Sequence, residues 1–237
     1  MTTKEKMNPK KTARIAGFLY LIIFPLNIFA MMYIPSNLIV PGDVATTANN
    51  IMASGGLFRS GIVSFLIGQT VFILLVLLLY KLLKPVNKNL AVLMVIFILV
   101  GIPIAMLNTL NQYAALLLSS GADYLAVFEA GQLQALVPLL LDLHEYGIQI
   151  ASIFWGLWLL PLGILVYKSG FLPRILGVLL VIGFFGYLID FVTFFYFPDF
   201  DSPIVLITSI GELLFPLWLL IKGVNVEQWE KRALESA

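Results

Sequence analysis

The chain has 237 residues, of which 60% are hydrophobic and 11% are charged, and its mean hydropathy is +0.99. A soluble domain usually carries about 25% charged residues, so this composition excludes an ordinary water-soluble protein and indicates lipid as the solvent. The net charge of +1 provides no basic field for nucleic acid, and a chain without cysteine has no disulfides, thiolate metal sites or cysteine nucleophiles. One histidine cannot build a multi-histidine zinc or haem site, so we expect no cofactor and no metal centre.

Six apolar stretches bounded by proline, glycine or charged residues predict six transmembrane helices. The stretch from Ile15 to Ile34 follows a basic segment and is long enough to cross roughly 30 Å of hydrocarbon, so it is a retained span rather than a cleaved signal peptide. The approximate ranges of the predicted spans are 13–34, 57–83, 90–118, 142–167, 174–197 and 203–222. The predicted fold is all-α, a polytopic membrane protein with a single six-span bundle over 1–223 and a charged cytoplasmic tail at 224–237.

Positive charges predict the orientation of the bundle. Thirteen of the fourteen lysines and arginines precede the first span, follow the sixth, or lie in the second-to-third and fourth-to-fifth connections. The positive-inside bias assigns this side, with both termini, to the cytoplasm. Arg59, at the outer end of the second span, is the exception.

Two outer segments have features of their own. In residues 41–56, Asp43 is a plausible helix N-cap and two glycines provide a stop, which predicts a short outer helix after the first span. Residues 124–140, after the third span, are apolar enough to lie at the interface or to extend the fourth span outward. Because such an extended rod would exceed the membrane thickness, we expect a second short outer helix after the third span, set off by a break or protruding, with bends at Pro138 and Gly147.

The stretch LDLHEYG (141–147) places two carboxylates and the only histidine in an apolar setting. Spacings of three and four residues put the polar side chains of the third span on one helix face. Spacings of three and seven residues do the same at the start of the fourth span, and His144 points away from that face. With Gln149 on the fourth-span face and two further carboxylates in spans five and six, polar residues collect in the outer half of the bilayer. The candidate binding residues are Arg59, Asn108, Asn111, Gln112, Asp142, His144, Glu145, Asp190 and Glu212.

Burial of ionisable groups in lipid is costly, so these residues should find partners or water. We expect a polar pocket open to the outside, in which Arg59 pairs with one or more of Asp142, Glu145, Asp190 and Glu212. Plainer interpretations stay open, because His144 and Glu145 could lie at the interface and Asp142 could cap the fourth span. The asparagine and glutamine face of span three could simply join helices by hydrogen bonds, and Asp190 or Glu212 could form a buried ion pair with Arg59 that only fixes packing.

Four stretches carry a resemblance to a known family. They are SNLIVPGDVATTANNI, LLYKLLKPVNKNLA, LDLHEYG and YKSGFLPRILGVLL, and in this order they resemble the bacterial multipass membrane family catalogued as domain of unknown function 4386, from about Ala13 to Gly223. The resemblance implies a multipass protein of the bacterial inner membrane and transfers no catalytic role. LDLHEYG is similar to that family's Asp-x-His run at Asp142 and His144.

Three functional hypotheses follow. The first is binding or transport of a small polar or cationic solute, since nine of thirteen carboxylates lie on the outer side against one arginine; six spans with one site-bearing half would favour a homodimer. The second is an intramembrane enzyme in which a carboxylate from span five or six orients His144, although no nucleophile is apparent. The third is a structural or partner-binding protein in the lipid bilayer.

Overall fold

The computed structural model describes residues 7–120, 123–197, 200 and 203–236. These residues form helices and connecting turns, with no strand among them, so the predicted all-α class is confirmed. A π-helical turn at Phe29–Tyr33 and a 3-10 turn at Asp123–Leu125 lie between α-helices. In chain order the α-helices are α1 (Pro9–Ile28), α2 (Ile34–Leu38), α3 (Val44–Ala53), α4 (Gly55–Leu83), α5 (Lys88–Leu118), α6 (Ala130–Leu157), α7 (Leu159–Ser169), α8 (Arg174–Tyr196), α9 (Ile204–Thr208), α10 (Ile210–Ile221) and α11 (Val226–Glu235).

Within the described part of the chain, six helical segments are long and apolar enough to cross a membrane, which agrees with the predicted number of spans. Their bounds differ from the predicted ones mainly at the fourth span, which starts about ten residues earlier. The orientation of the termini stays a prediction. Lys4 and Lys6, the first two of the positive charges on which it rests, lie outside the described residues. The spans are Pro9–Leu38, Gly55–Leu83, Lys88–Leu118, Gly131–Ser169, Arg174–Tyr196 and Ile204–Ile221.

One face of α8 shows which solvent the fold requires. Large apolar side chains recur along it at alternating intervals of four and three residues, which is the spacing of one helix face. All of them are exposed: Val178, Ile182, Phe185, Ile189 and Val192. A continuous apolar face of this length is unfavourable in water and favourable against acyl chains, so the structure supports contact with a lipid bilayer.

The short helix predicted after the first span is α3. Its N-cap is Asp43, whose carboxylate accepts hydrogen bonds from the Thr46 backbone amide at 2.9 Å and from the Thr46 hydroxyl at 2.7 Å. These bonds to the charged form hold the pKa of Asp43 below its usual range. The predicted glycine stop is displaced, because α3 ends before Ser54 and Gly55 already begins α4.

The predicted bends of the fourth span are wrong in position. Helix α6 runs without interruption through Pro138 and Gly147, and the break lies at Trp158, between α6 and α7. The break precedes Pro161, whose missing N–H leaves the Leu157 carbonyl without its regular partner. Pro161 lies in the first turn of α7, where a backbone N–H has no hydrogen-bond partner within the helix. Proline is therefore tolerated at this position.

The chain divides into two compact units. The first unit contains the chain up to Ile22, Val71–Gly101 and the chain from Ser152 onward, and the second contains Ile23–Thr70 and Ile102–Ala151. The core of the second unit joins α2, α3, α4, α5 and α6 through Ile34, Leu38, Ala48, Ile51, Phe58, Ile62, Ala115, Leu116 and Val137.

The first unit packs its helices closely at glycines. A Cβ on Gly163 of α7 would lie 2.7 Å from the Gly177 carbonyl of α8, and one on Gly177 would lie 2.6 Å from the Gly163 carbonyl. The two backbones therefore approach as closely as small residues in membrane helices allow. The charged segment predicted after the sixth span forms α11, and the Trp229 indole N–H donates to the Leu82 carbonyl at 2.8 Å.

Candidate functional site

A cavity of about 390 Å³ lies within the second unit, and most of the sequence-predicted polar residues of that unit line it. Its polar wall comes from one residue of α5 and four of α6, namely Gln112, Asp142, His144, Glu145 and Gln149. Spacings of three and seven residues from Asp142 bring Glu145 and Gln149 to one face of α6, as predicted.

The opposite wall is apolar and includes an irregular stretch of the first span. The regular helix α1 gives way to the π-helical turn Phe29–Tyr33, and Ala30 and Met31 of this turn line the cavity. Phe58 and Phe65, seven residues apart on α4 and both buried, are among the other apolar residues of the lining. Because π-helical turns inside α-helices occur frequently at functional sites, this departure from regular geometry marks the cavity independently of its charges.

The cavity has two carboxylates and no cation among its described lining residues. Asp142 and Glu145 are exposed, and no residue in the described part of the chain donates a hydrogen bond to either carboxylate or forms an ion pair with it. No described lysine or arginine lines the cavity. Arg59 is exposed, and its predicted pairing with Asp142 or Glu145 is not formed; Asp190 and Glu212 belong to the first unit, so pairing with them stays a prediction.

His144 is half-buried and is held by a neighbouring helix. The Asn108 side-chain amide donates to the His144 carbonyl at 2.6 Å and lies 3.1 Å from imidazole Nδ1, which is itself 3.2 Å from the Asn108 carbonyl oxygen. Nδ1 therefore has a partner in either tautomer, and the Nε2 edge is left for other contacts. The sequence predicts that His144 points away from the face of the carboxylates, and all three residues nevertheless line the same cavity.

Close packing of α5 against α6 fixes this contact. A Cβ on Gly147 would collide with the Asn108 side-chain amide, so the absence of a side chain makes the contact possible. Asn111 donates from its amide to Asn108 Oδ1 at 2.9 Å, which orients the Asn108 side chain. The polar face predicted on span three thus divides into a positioning pair, Asn108 and Asn111, and a cavity residue, Gln112.

The remaining predicted residues form a separate group in the first unit. Glu212, in the first turn of α10, is 9% exposed and accepts a hydrogen bond from the Tyr20 hydroxyl at 2.9 Å and another from the Tyr187 hydroxyl. Asp190 is half-buried on α8, three residues after Tyr187. Two phenol donors satisfy the Glu212 carboxylate locally, which is what burial of a polar group in an apolar core requires.

Sequence reasoning overlooked the tyrosines and phenylalanines of both groups. Tyr20 and Tyr187 count as apolar in a hydropathy window, and so do Phe58 and Phe65, yet the first two donate hydrogen bonds and the last two line the cavity. A usable signal is that a buried tyrosine hydroxyl normally has a polar partner, so a tyrosine deep in a span indicates a nearby acceptor. The described residues hold no cluster of three or more histidine, aspartate or glutamate side chains suited to a metal ion.

Comparison with known proteins confirms the family resemblance. The model of the family described as Domain of unknown function (DUF4386) matches residues 15–223. A protein of Archaeoglobus fulgidus described as uncharacterized is 35% identical over 150 residues, which cover 63% of this chain and 75% of that protein. No solved structure matches the chain.

Proposed function

The chain belongs to the family described as domain of unknown function 4386, and we propose that it binds a small organic cation in the cavity of the second unit, as the recognition step of solute binding or transport. The observation that carries the proposal is a pair of carboxylates, Asp142 and Glu145, in one wall of this cavity, to which no described residue donates a hydrogen bond. The volume of about 390 Å³ lies within the range of small-molecule sites, roughly 300–1,000 Å³.

Charge favours a cation over a neutral or anionic solute. Two carboxylates with no lysine or arginine among the described lining residues favour a negative potential, which the apolar wall concentrates, and such a cleft raises the local concentration of cations. A bound ammonium group would recover hydrogen bonds that the carboxylates lack in the described residues. An anion would meet repulsion from both carboxylates.

The other lining residues suit an organic cation better than a bare metal ion. Phe58 and Phe65 place aromatic rings in the lining, and aromatic rings attract ammonium groups by cation–π interaction. Gln112 and Gln149 add amide donors and acceptors, and Nε2 of His144 adds one more polar contact. We propose that the cavity opens to the outer side of the membrane, since the predicted orientation places Asp142 and Gln112 near the outer ends of their spans.

The test is thermal stabilisation of the purified protein by ethanolammonium and by tetramethylammonium, with ethylene glycol as the neutral comparison for the first. A probe that binds only the folded state at about 100 times its Kd stabilises that state by about 2.7 kcal/mol. We expect this stabilisation with both cations and not with ethylene glycol. The double variant Asp142→Asn, Glu145→Gln should lose it.

The matched control is Asp123→Asn, Glu129→Gln, which removes the same number of carboxylates from exposed positions outside the cavity. This control should keep the full response to both cations. The proposal would be refuted if the cations stabilised both double variants equally. It would also be refuted if ethylene glycol stabilised the wild type as much as the cations do.

A further inference from the structure

A second cavity, of about 650 Å³, lies in the first unit where α1 begins beside α11. We propose that it is a binding site for the headgroup of an anionic phospholipid, independent of the cation site proposed above. Its polar lining includes three cations of α1, Lys10, Lys11 and Arg14, and one carboxylate of α11, Glu230. The described lining residues therefore carry an excess of two positive charges.

The cations are placed to hold a phosphate. Lys10, Lys11 and Arg14 are all exposed, and Arg14 donates from Nη2 to the Ile221 carbonyl at 3.4 Å, which orients its guanidinium beside the cavity. The planar guanidinium can bind two phosphate oxygens at once, whereas the lysine ammonium groups act as point charges. Together they match the phosphodiester of a lipid headgroup.

An apolar strip continues from these cations along the same helix face. Ile15 and Phe18 line the cavity and are 41% and 53% exposed. They follow Lys11 by four and seven residues, so cations and apolar side chains form one surface that passes from the end of the span into its apolar part. Free phosphate would engage the cations alone, while a phospholipid would also cover Ile15 and Phe18 with an acyl chain.

The wall contributed by α11 is held in place by its own contacts. The Asn225 side chain caps this helix by accepting from the Gln228 amide at 3.1 Å, and the Trp229 indole N–H donates to the Leu82 carbonyl. Tryptophan is the residue enriched at membrane interfaces, where its ring is apolar and its N–H needs a partner. The site is therefore bordered by two anchored helices, and the lysines, the arginine and the tryptophan around it are residue types expected at headgroup depth.

Native mass spectrometry of the purified protein, titrated with phosphatidylglycerol and with phosphatidylcholine of the same acyl chains, tests the proposal. We expect preferential retention of phosphatidylglycerol by the wild type. The variant Lys11→Gln, Arg14→Gln should bind phosphatidylglycerol at least about tenfold more weakly, because each interfacial cation contributes several-fold to the attraction of anionic lipid. Glu230→Gln should strengthen binding, since it removes the opposing charge.

The control variant Lys84→Gln, Lys88→Gln removes two exposed cations, one just after α4 and one at the start of α5, and should leave lipid retention unchanged. Phe18→Ala should weaken retention of phosphatidylglycerol, and excess inorganic phosphate should not displace the lipid. The proposal is overturned if the wild type retains the two lipids equally or if inorganic phosphate displaces phosphatidylglycerol. It is also overturned if the double variant of α1 and the control double variant lose phosphatidylglycerol binding to the same extent. Melting temperatures near that of the wild type identify variants that are folded and can be compared.

Discussion

Polar residues in the spans differ in how their hydrogen-bonding capacity is used. Glu212 accepts from two tyrosine hydroxyls, and Asn108 is engaged with His144. The carboxylates of Asp142 and Glu145 have no such donors among the described residues. A group whose hydrogen bonds are already formed within the protein has little left to offer a ligand. Among the described residues, the capacity to bind a ligand is therefore greatest at Asp142 and Glu145.

Gly147 tests the packing that positions His144. In the Gly147→Ala variant the added methyl group would overlap with the Asn108 side chain. We expect this overpacking to lower the unfolding free energy by about 1–3 kcal/mol. Gly131→Ala, on the same helix α6 with no atom within 4 Å of the added Cβ, is the matched control and should be neutral or slightly stabilising. Denaturant unfolding in mixed micelles measures both, and equal stability of the two variants would contradict the close contact.

Much of the candidate site was predictable at this scale, but only within each helix. Helical spacing alone placed Asp142, Glu145 and Gln149 on one face, and the structure has them there. The contact between His144 and Asn108 joins residues 36 positions apart, so it depends on the packing of α5 against α6, which spacing along one helix does not encode. The phenol donors to Glu212 were missed for the same reason.

At the scale of elements, hydropathy predicted where spans exist better than where they break. The ends of the second, third, fifth and sixth spans fall within about two residues of the predictions, because charged and proline-rich connections mark them. Pro138 and Gly147 were expected to bend the fourth span, yet both are accommodated inside α6 and the break is at Trp158. A proline or glycine permits a bend, and tertiary packing decides whether the bend occurs.

One hydrogen bond between helices offers a test at this scale. The Ser64 hydroxyl of α4 donates to the Leu26 carbonyl of α1 at 3.0 Å, so Ser64→Ala removes a bond between two spans. Such bonds in membrane proteins contribute about 0.6 kcal/mol on average, and we expect a loss of that order in unfolding free energy. Ser60→Ala is the control, because the Ser60 hydroxyl donates within α4 to the Leu57 carbonyl. A Ser64→Ala variant no less stable than Ser60→Ala would show that the bond contributes nothing measurable.

For the whole molecule, the decisive quantity is the cost of placing polar groups in an apolar solvent. Composition predicted a membrane protein, and the six spans and the exposed apolar face of α8 agree with that prediction. Composition could not predict that the polar residues would divide between two units, because the division follows from the fold. The orientation with both termini in the cytoplasm, the homodimer and the bacterial inner membrane stay predictions.

The most direct test of the central claim measures the sign of the potential inside the cavity of the second unit. The chain contains no cysteine, so Gln112→Cys introduces a single thiol into the cavity wall. Membrane-impermeant cationic and anionic methanethiosulfonates are added from the side opposite the termini, and an exposed reference, Ser120→Cys, corrects for the intrinsic reactivity of each reagent. We predict that the cationic reagent modifies the thiol in the cavity wall faster by roughly tenfold or more, and that this preference disappears with Asp142→Asn, Glu145→Gln. Equal corrected rates for the two reagents, or a preference that survives the loss of both carboxylates, would contradict a cation-binding cavity.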